Sequence, residues 1–193
     1  MIDWDEVYAG DVEDLPWYSE ALDEDVERAL ASRGIRKGTF LDIGTGPGTQ
    51  AAALAALGFT VVGTDISRRA VSKARRRFPA VKFLVDDIPR TRLRWRFDYI
   101  IDRGCFHSLG PRLRGSYVRK VYSLLRPDGL LFLKTSSKRE MCCIGPYRFS
   151  PAMIRRCFSR EFFIESIIET EFSGTLENKP KALFAVLRRK PPK

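Results

Sequence analysis

Three glycines at alternate positions, Gly44, Gly46 and Gly48, break the stretch LDIGTGPGTQAAALAA. Glycines spaced this way let the backbone turn sharply and let a ligand approach without Cβ obstruction. A strand before them and a helix after them would add the unpaired N–H groups of a helix start. Asp65 stands seventeen residues beyond Gly48, a spacing at which a carboxylate can accept both hydroxyls of a ribose. Two ligand classes fit, a nicotinamide or flavin dinucleotide and S-adenosylmethionine. Three features favour the second. Asp42, two residues before the first glycine, suits a cationic α-amino group and repels a pyrophosphate. The loop is G-x-G-x-G followed by Thr49, without the G-x-G-x-x-G period of pyrophosphate loops. Finally, in Asp86-Asp87-Ile88 an acid can take the adenine amino protons while Ile88 packs on the ring. Adjacent acids point opposite ways on a strand, so at most one of the two touches a ligand.

His107 is the single histidine, in Asp102-Arg103-Gly104-Cys105-Phe106-His107. As a general base it would titrate near the working pH; as a structural residue it would pack at a helix start. Four cysteines at 105, 142, 143 and 157 have no C-x-x-C spacing, so neither a zinc site nor a disulfide framework is expected. Cys105, Cys142 and Cys143 fall near the expected mouth of the site, where free cysteines commonly serve as small buried hydrophobes.

These residues need a scaffold. Short apolar runs at Thr39–Ile43, Phe59–Thr64, Val81–Val85, Phe97–Ile101 and Leu130–Lys134 alternate with helical patterns. Helices are expected over Thr49–Leu57, stopped by Gly58; Arg68–Phe78, capped by Ser67 and ended by Pro79; Leu113–Leu125; and Pro151–Phe158. Arg126-Pro127-Asp128-Gly129 reads as a turn. Phe162–Thr170 and Ala182–Leu187 close the chain as a hairpin whose return strand runs antiparallel to the rest. Strands spaced by helices make right-handed βαβ units and a parallel sheet. Residues 1–31 read as an acidic, aromatic, helical cap, and 39–189 as the core of one domain spanning 1–193.

The 193 residues carry a net charge of +10, unevenly spread. Residues 1–31 hold eleven acids and one base, whereas residues 32–193 sum to +20. A body this basic attracts anions, nucleic acid included, although an acidic cover over a solvated Arg-rich surface accounts for the same pattern. No apolar run approaches a membrane span, and the acidic N-terminus lacks the form of a signal peptide. A reduced, soluble, cytoplasmic protein is expected.

LDIGTGPGT, Asp65, VDDI and FDYIIDRGCFHSL together resemble the class I S-adenosylmethionine-dependent methyltransferases, over about Thr39 to Thr135. WDEVY with Pro16-Trp17, DRGCFH, and GPYRFS from Gly145 to Ser150 are similar to the thiopurine/tellurite-resistance branch, whose members methylate sulfur, selenium or tellurium nucleophiles. The resemblance implies an α/β Rossmann-like, doubly wound, mostly parallel seven-stranded sheet in the order 3-2-1-4-5-7-6, strand 7 antiparallel. It implies that Gly44, Thr45, Gly46 and Gly48 line the methionine moiety and that Asp42 balances its amino group. Asp65 would hold the ribose and Ile66 the adenine face. Asp87 and Ile88 would meet the adenine edge, with Asp86 the alternative in register. Asp102, Arg103 and Gly104 would end the fourth strand beside the donor sulfur, with Asp102 and His107 the candidates for chemistry. Trp4, Tyr8 and Trp17 would form a lid, and Arg148 would meet the acceptor. No (Asn/Asp)-Pro-Pro-(Tyr/Phe) tetrad follows the fourth strand, which speaks against amino methylation by that route.

The expected activity is methyl transfer to a small-molecule acceptor, with S-adenosylmethionine as cofactor and no metal. RNA or protein as acceptor, a non-catalytic adenosyl-binding protein and a nicotinamide-dependent oxidoreductase are the alternatives. Nucleic acid is a possible but not favoured partner, no membrane is expected, and the oligomeric state stays open.

Overall fold

A computed structural model describes residues 2–141 and 146–192. Seven strands lie in the order 3-2-1-4-5-7-6: β1 (Thr39–Ile43), β2 (Thr60–Asp65), β3 (Lys82–Val85), β4 (Phe97–Arg103), β5 (Leu125–Ser136), β6 (Phe162–Glu171) and β7 (Lys181–Arg189). β2 runs parallel to β1 and β3, and β4 parallel to β5; β7 is antiparallel to both β5 and β6. Phe40, Leu41, Asp42 and Ile43 are all buried, as are Ala182 to Leu187. Such unbroken burial marks strands covered on both faces. β6, at the sheet's edge, exposes Phe163 and Ile168.

The chain divides into two compact units, Met1–Asp87 with Ser173–Lys179, and Ile88–Phe172 with Pro180–Lys193. In the first, α1 (Trp4–Val7) and α2 (Glu24–Ser32) precede the sheet, and α3 (Thr49–Ala56) and α4 (Arg68–Arg77) follow β1 and β2. Asp23 caps α2, whose first turn holds Glu24, Asp25 and Glu27, acids that suit the positive end of a helix dipole. Ser67 Oγ accepts from Ala70 N–H at the start of α4, and Arg75, Arg76 and Arg77 fill its last turn, where cations are favoured. The loop at 173–179 packs on the N-terminal segment: Thr175 N–H donates to Pro16 O at 3.2 Å, and a Cβ at Gly174 would lie 2.1 Å from that oxygen.

In the second unit, α5 (Pro111–Leu124) and α6 (Pro151–Phe158) both carry proline at their start, where the missing N–H costs nothing. Their packing centres on Phe106, whose ring centroid is 4.9 Å from Tyr117, 5.2 Å from Phe149 and 5.0 Å from Phe158. All four side chains are fully buried.

Two expectations need correction. Arg126-Pro127-Asp128-Gly129 is not a turn between elements; it is a bulge inside β5. Phe97 pairs with Leu125 and Tyr99 with Leu130, so pairing resumes beyond the extra residues. Asp128 takes φ +59°, the single positive value among described non-glycine residues, and Asp is among the residues that tolerate it. The N-terminal cap is helical only over α1 and α2. Gly10 and Pro16 interrupt the stretch between them, which runs as turns and irregular backbone. Elsewhere the elements begin or end within a few residues of the expected points.

Candidate functional site

In the first unit β1 delivers the glycine loop and β2 delivers Asp65. Gly44, Gly46 and Gly48 have φ of +67°, +53° and +84°, left-handed values that cost a side-chain-bearing residue about 1–2 kcal/mol. The loop is held by acids on either side. The buried Asp42 carboxylate accepts from Thr45 Oγ at 2.6 Å, and the Asp65 carboxylate accepts from Gly46 N–H at 2.9 Å and Ser67 N–H at 2.9 Å. Thr45 N–H donates to Thr64 O at 2.9 Å, tying the loop to β2. Burial pushes the Asp65 carboxyl above its ordinary value, against the Ser67 and Gly46 N–H groups, which pull it down. Asp87 is half-buried at the end of β3, and Asp86 N–H donates to Asp65 O at 2.9 Å. Ile66, next to Asp65, is 50% exposed.

Trp4, Tyr8 and Trp17 come together here, with centroids 6.3 Å apart for Trp4–Tyr8 and 6.3 Å for Trp4–Trp17. Tyr8 leans over the loop: a Cβ at Gly46 would lie 2.7 Å from its hydroxyl. Asp5 anchors the segment to α4, accepting from Ser67 Oγ at 2.6 Å and Arg69 N–H at 3.1 Å. Arg77 pairs with Glu13 and Glu20, the latter at 2.7 Å. Asp5 and Gly63 are loop-supporting residues that the sequence reading missed, and Ser67, expected only as the cap of α4, also donates its N–H to Asp65. A Cβ at Gly63 would lie 2.7 Å from Thr45 Oγ; the Gly in an otherwise apolar strand was the available signal.

In the second unit Asp102 is fully buried at the end of β4. Its carboxylate accepts from Gly104 N–H at 3.1 Å, Cys105 N–H at 2.7 Å, Phe106 N–H at 3.0 Å and the Tyr117 hydroxyl. Burial pushes this carboxyl up to about 6, against those four donors, and the Tyr117 phenol well above its ordinary value. Asp102 therefore shapes the turn at 104–106, and its oxygens are taken up by it; a carboxylate offered to a ligand, the expectation from sequence, is not what the geometry presents.

His107 Nδ1 accepts from Ser136 N–H at 3.0 Å, which puts the ring proton on Nε2. Burial, then the nearby Arg103 charge, pushes the imidazole down to about 3. A neutral ring with Nδ1 occupied and Nε2 protonated has no lone pair for a substrate proton, which speaks against the general-base expectation. Tyr147 N–H donates to His107 O at 2.9 Å and Phe149 N–H to Ser136 O at 2.8 Å, so the segment carrying the half-buried Arg148 is fastened beside His107. Arg103 and Lys134 share a register position on β4 and β5, and each lies 5.6 Å from the centroid of the Phe172 ring. Lys134 and Phe172 are further residues that sequence reasoning missed, although a lysine ending the apolar run LLFLK was visible. Ile88 is buried in a short 3-10 turn at Ile88–Arg90. Cys105 is half-buried; Cys142, Cys143 and Gly145 lie outside the described residues.

The first unit's donor set is two buried carboxylates flanking left-handed glycines, with no lysine or arginine in the loop itself. That set fits a cationic amino acid joined to a ribose and does not fit a pyrophosphate. No helix among the described residues is long and apolar enough to cross a membrane.

Residues 40–129 match the methyltransferase domain family. An uncharacterized methyltransferase of Schizosaccharomyces pombe is 36% identical over 124 residues, covering 60% of this chain and 86% of that protein. Thiocyanate methyltransferase 1 of Brassica oleracea is 32% identical over 122 residues, 60% of this chain and 54% of that one, so the chain spans about half its length. Among solved structures, one from a study of the conversion of a disulfide bond into a thioacetal group during echinomycin biosynthesis superposes with a TM-score of 0.82 at 27% identity, covering 96% of this chain and 91% of that. The 1,6-didemethyltoxoflavin N1-methyltransferase of Burkholderia thailandensis, solved with S-adenosylhomocysteine, gives 0.70 at 20% identity over 87% and 78%. With its sheet order, its acid-flanked glycine loop and these relatives, the chain belongs to the class I S-adenosylmethionine-dependent methyltransferases.

Proposed function

We propose that the enzyme methylates a small molecule at a soft chalcogen atom, most simply the sulfur of a thiol. The observation that carries this is the state of the two acid–base candidates. The Asp102 oxygens are spent on Gly104, Cys105, Phe106 and Tyr117, and the His107 ring is neutral with Nδ1 engaged. An amine or hydroxyl needs a base to lose its proton; a thiol ionises readily enough in water to react without one. The named activity of the thiocyanate methyltransferase relative and the sulfur chemistry of the echinomycin study support the same acceptor class.

S-adenosylmethionine supplies an activated methyl group on a positively charged sulfur. On this reading Asp42 balances its amino group, Gly44, Thr45, Gly46 and Gly48 line its amino-acid end, Asp65 receives the ribose hydroxyls, and Ile66 and Asp87 meet the adenine. Ile88 belongs with the adenine edge, and Gly104 gives close backbone approach at the end of β4. Trp4, Tyr8 and Trp17 exclude water, and Arg148 belongs to the acceptor side. Alignment of an in-line displacement and exclusion of water carry most of the rate enhancement.

A methyl-transfer screen over thiols, hydroselenide, amines, RNA and protein extract tests this, read as S-adenosylhomocysteine formed. Transfer to amines or RNA and to no thiol would replace the acceptor class. Asp65→Ala should weaken S-adenosylmethionine binding by about 1.5 kcal/mol or more in calorimetry, and NAD should not bind. RNA remains a second reading on one observation: Arg92, Arg94 and Arg96 are exposed around Trp95, itself 42% exposed. Steeply salt-dependent RNA binding would favour it.

A further inference from the structure

The surplus positive charge is not shared between the two units. The second carries 22 lysines and arginines against 8 acids, while the first is net −4. Within the second unit, residues 88–96, α5 and α6 hold nine arginines, one lysine and no aspartate or glutamate. These elements lie side by side. α5 packs against α6 and against the 3-10 turn at Ile88–Arg90, and Lys120 Nζ of α5 donates to Thr91 O at 2.9 Å. The apolar sides of both helices are buried, Tyr117 and Val121 of α5 and Ile154 and Phe158 of α6 among them. Their outer sides are basic. Arg92, Arg94, Arg112, Arg119, Arg155 and Arg156 are all exposed, and none of the six pairs with a carboxylate among the described residues. The basic helix of the first unit differs, because Glu13 and Glu20 of the acidic segment pair with Arg77 of α4.

We propose that this face docks a single strand of RNA, held as a partner and not as the methyl acceptor. Like charges gathered without counter-charges raise the local potential and draw in a polyanion. Arginine outnumbers lysine nine to one here, and the planar guanidinium suits phosphate oxygens taken in pairs. Trp95, 42% exposed between Arg94 and Arg96, offers an indole plane on which an unpaired base stacks. A lipid surface is served less well, since a helix lying in a membrane turns its apolar side outward, and α5 and α6 turn theirs toward the sheet. The place of the face sets its role. Residues 91–96 lead into the amino end of β4, whereas Arg103 closes its carboxyl end, about 20 Å away along the strand. Ligands of open α/β sheets bind beyond the carboxyl ends, where the glycine loop follows β1 and the Asp102 turn follows β4. A strand stacked on Trp95 is therefore anchored at the far end from the chemistry. The face gives the enzyme an address on RNA while the transfer site serves another molecule, whatever the class of that acceptor.

The probe is a fluorescein-labelled oligouridine, read by anisotropy with the full chain. Wild type should bind it with a slope of about −4 in log affinity against log salt, as six phosphate contacts to a single strand require. Arg92→Gln with Arg94→Gln, and separately Arg119→Gln with Arg156→Gln, should each weaken binding about tenfold and flatten that slope by about 1.4. Trp95→Ala should weaken binding several-fold and leave the slope unchanged, because stacking releases no counterions. All of these positions are exposed, and unchanged S-adenosylmethionine affinity checks that the variants fold. Salt-dependent binding is common to this docking role and to RNA as the acceptor; methyl groups counted on a total-RNA pool separate the two. RNA that binds through these arginines and gains no methyl group supports the proposal. Methyl transfer to RNA, lost in step with binding, would overturn it and make RNA the acceptor. Polyglutamate or phosphatidylserine vesicles bound as tightly as oligouridine, with Trp95→Ala without effect, would overturn it in favour of an acidic protein or a lipid surface. Oligouridine binding that both arginine pairs leave untouched would remove the face altogether.

Discussion

Tyr117→Phe isolates one hydroxyl with a pH-dependent job. That hydroxyl donates to the buried Asp102 carboxylate, which sits at about 6 against an ordinary 3.8. The difference corresponds to about 3 kcal/mol of native-state cost for keeping Asp102 ionised. The sign follows from proton uptake: between 3.8 and 6 the native state binds more protons than the unfolded state, so this group lowers stability as pH rises through that window. Tyr117 is one of the donors that keep the cost from being larger. Removing it forfeits a bond to a charged group, worth about 1.5–3 kcal/mol when the carboxylate is ionised. Once Asp102 is protonated, only a neutral bond of about 0.5–1.5 kcal/mol is lost. Urea denaturation of wild type and Tyr117→Phe at pH 7.5 and pH 5 should therefore show a destabilisation about 1–2 kcal/mol larger at pH 7.5. His107 titrates in both proteins and cancels in the comparison. Equal destabilisation at the two pH values would refute the assignment of a strained, ionisable Asp102 at the heart of this turn.

His107 works with the opposite sign. Its imidazole is held near 3 against 6.5, so the stability it contributes is present above 6.5 and lost as pH falls toward 3. His107→Gln should suffer least in acid: its deficit against wild type should shrink by about 3 kcal/mol between pH 7.5 and pH 4, read from denaturation midpoints. Gly46→Ala combines a left-handed residue with a methyl 2.7 Å from the Tyr8 hydroxyl. It should weaken S-adenosylmethionine binding at least tenfold by calorimetry, and a second substitution, Tyr8→Phe, should recover only the part due to the collision. Arg77→Ala removes the pairings to Glu13 and Glu20; exposed pairs are worth about 0–1 kcal/mol each. Hydrogen exchange over residues 4–18 should quicken several-fold, and unchanged exchange would show that these ion pairs do not hold the segment.

Much of the scaffold was legible because its signals are local. Alternating apolar runs and helices, Ser67 as a cap, Gly58 as a stop and Pro151 as a start each depend on a few neighbouring residues. The bulge at 126–129 was hidden because a Pro-Asp-Gly sequence suits a turn and a bulge equally, and only pairing with Tyr99 decides. The same divide runs through the site. The glycine loop with Asp42 and Asp65 announces itself by spacing. Asp102 and His107 were recognisable as polar groups in a telling place, yet their duties depend on Tyr117 and Ser136, 15 and 29 residues away. Phe172, which gathers Arg103 and Lys134, comes still later in the chain, and its neighbours are set by tertiary packing alone.

The loop at 173–179 has a consequence for the order in which the protein assembles. Thr175 Oγ donates to Leu15 O across 160 residues of sequence, alongside its backbone bond to Pro16. Contacts of such separation carry a high loop-closure entropy and form late. Residues 4–18 therefore leave the ribosome well ahead of the loop that completes them, waiting for a partner that is synthesised only after the sixth strand. During that interval Trp4, Tyr8 and Trp17 have incomplete cover, so the nascent chain presents an aromatic surface of the kind that chaperones hold. Swapping the 173–179 connection for a short designed turn should leave the later strands free to pair while slowing the burial of tryptophan, a kinetic signature visible by fluorescence in refolding.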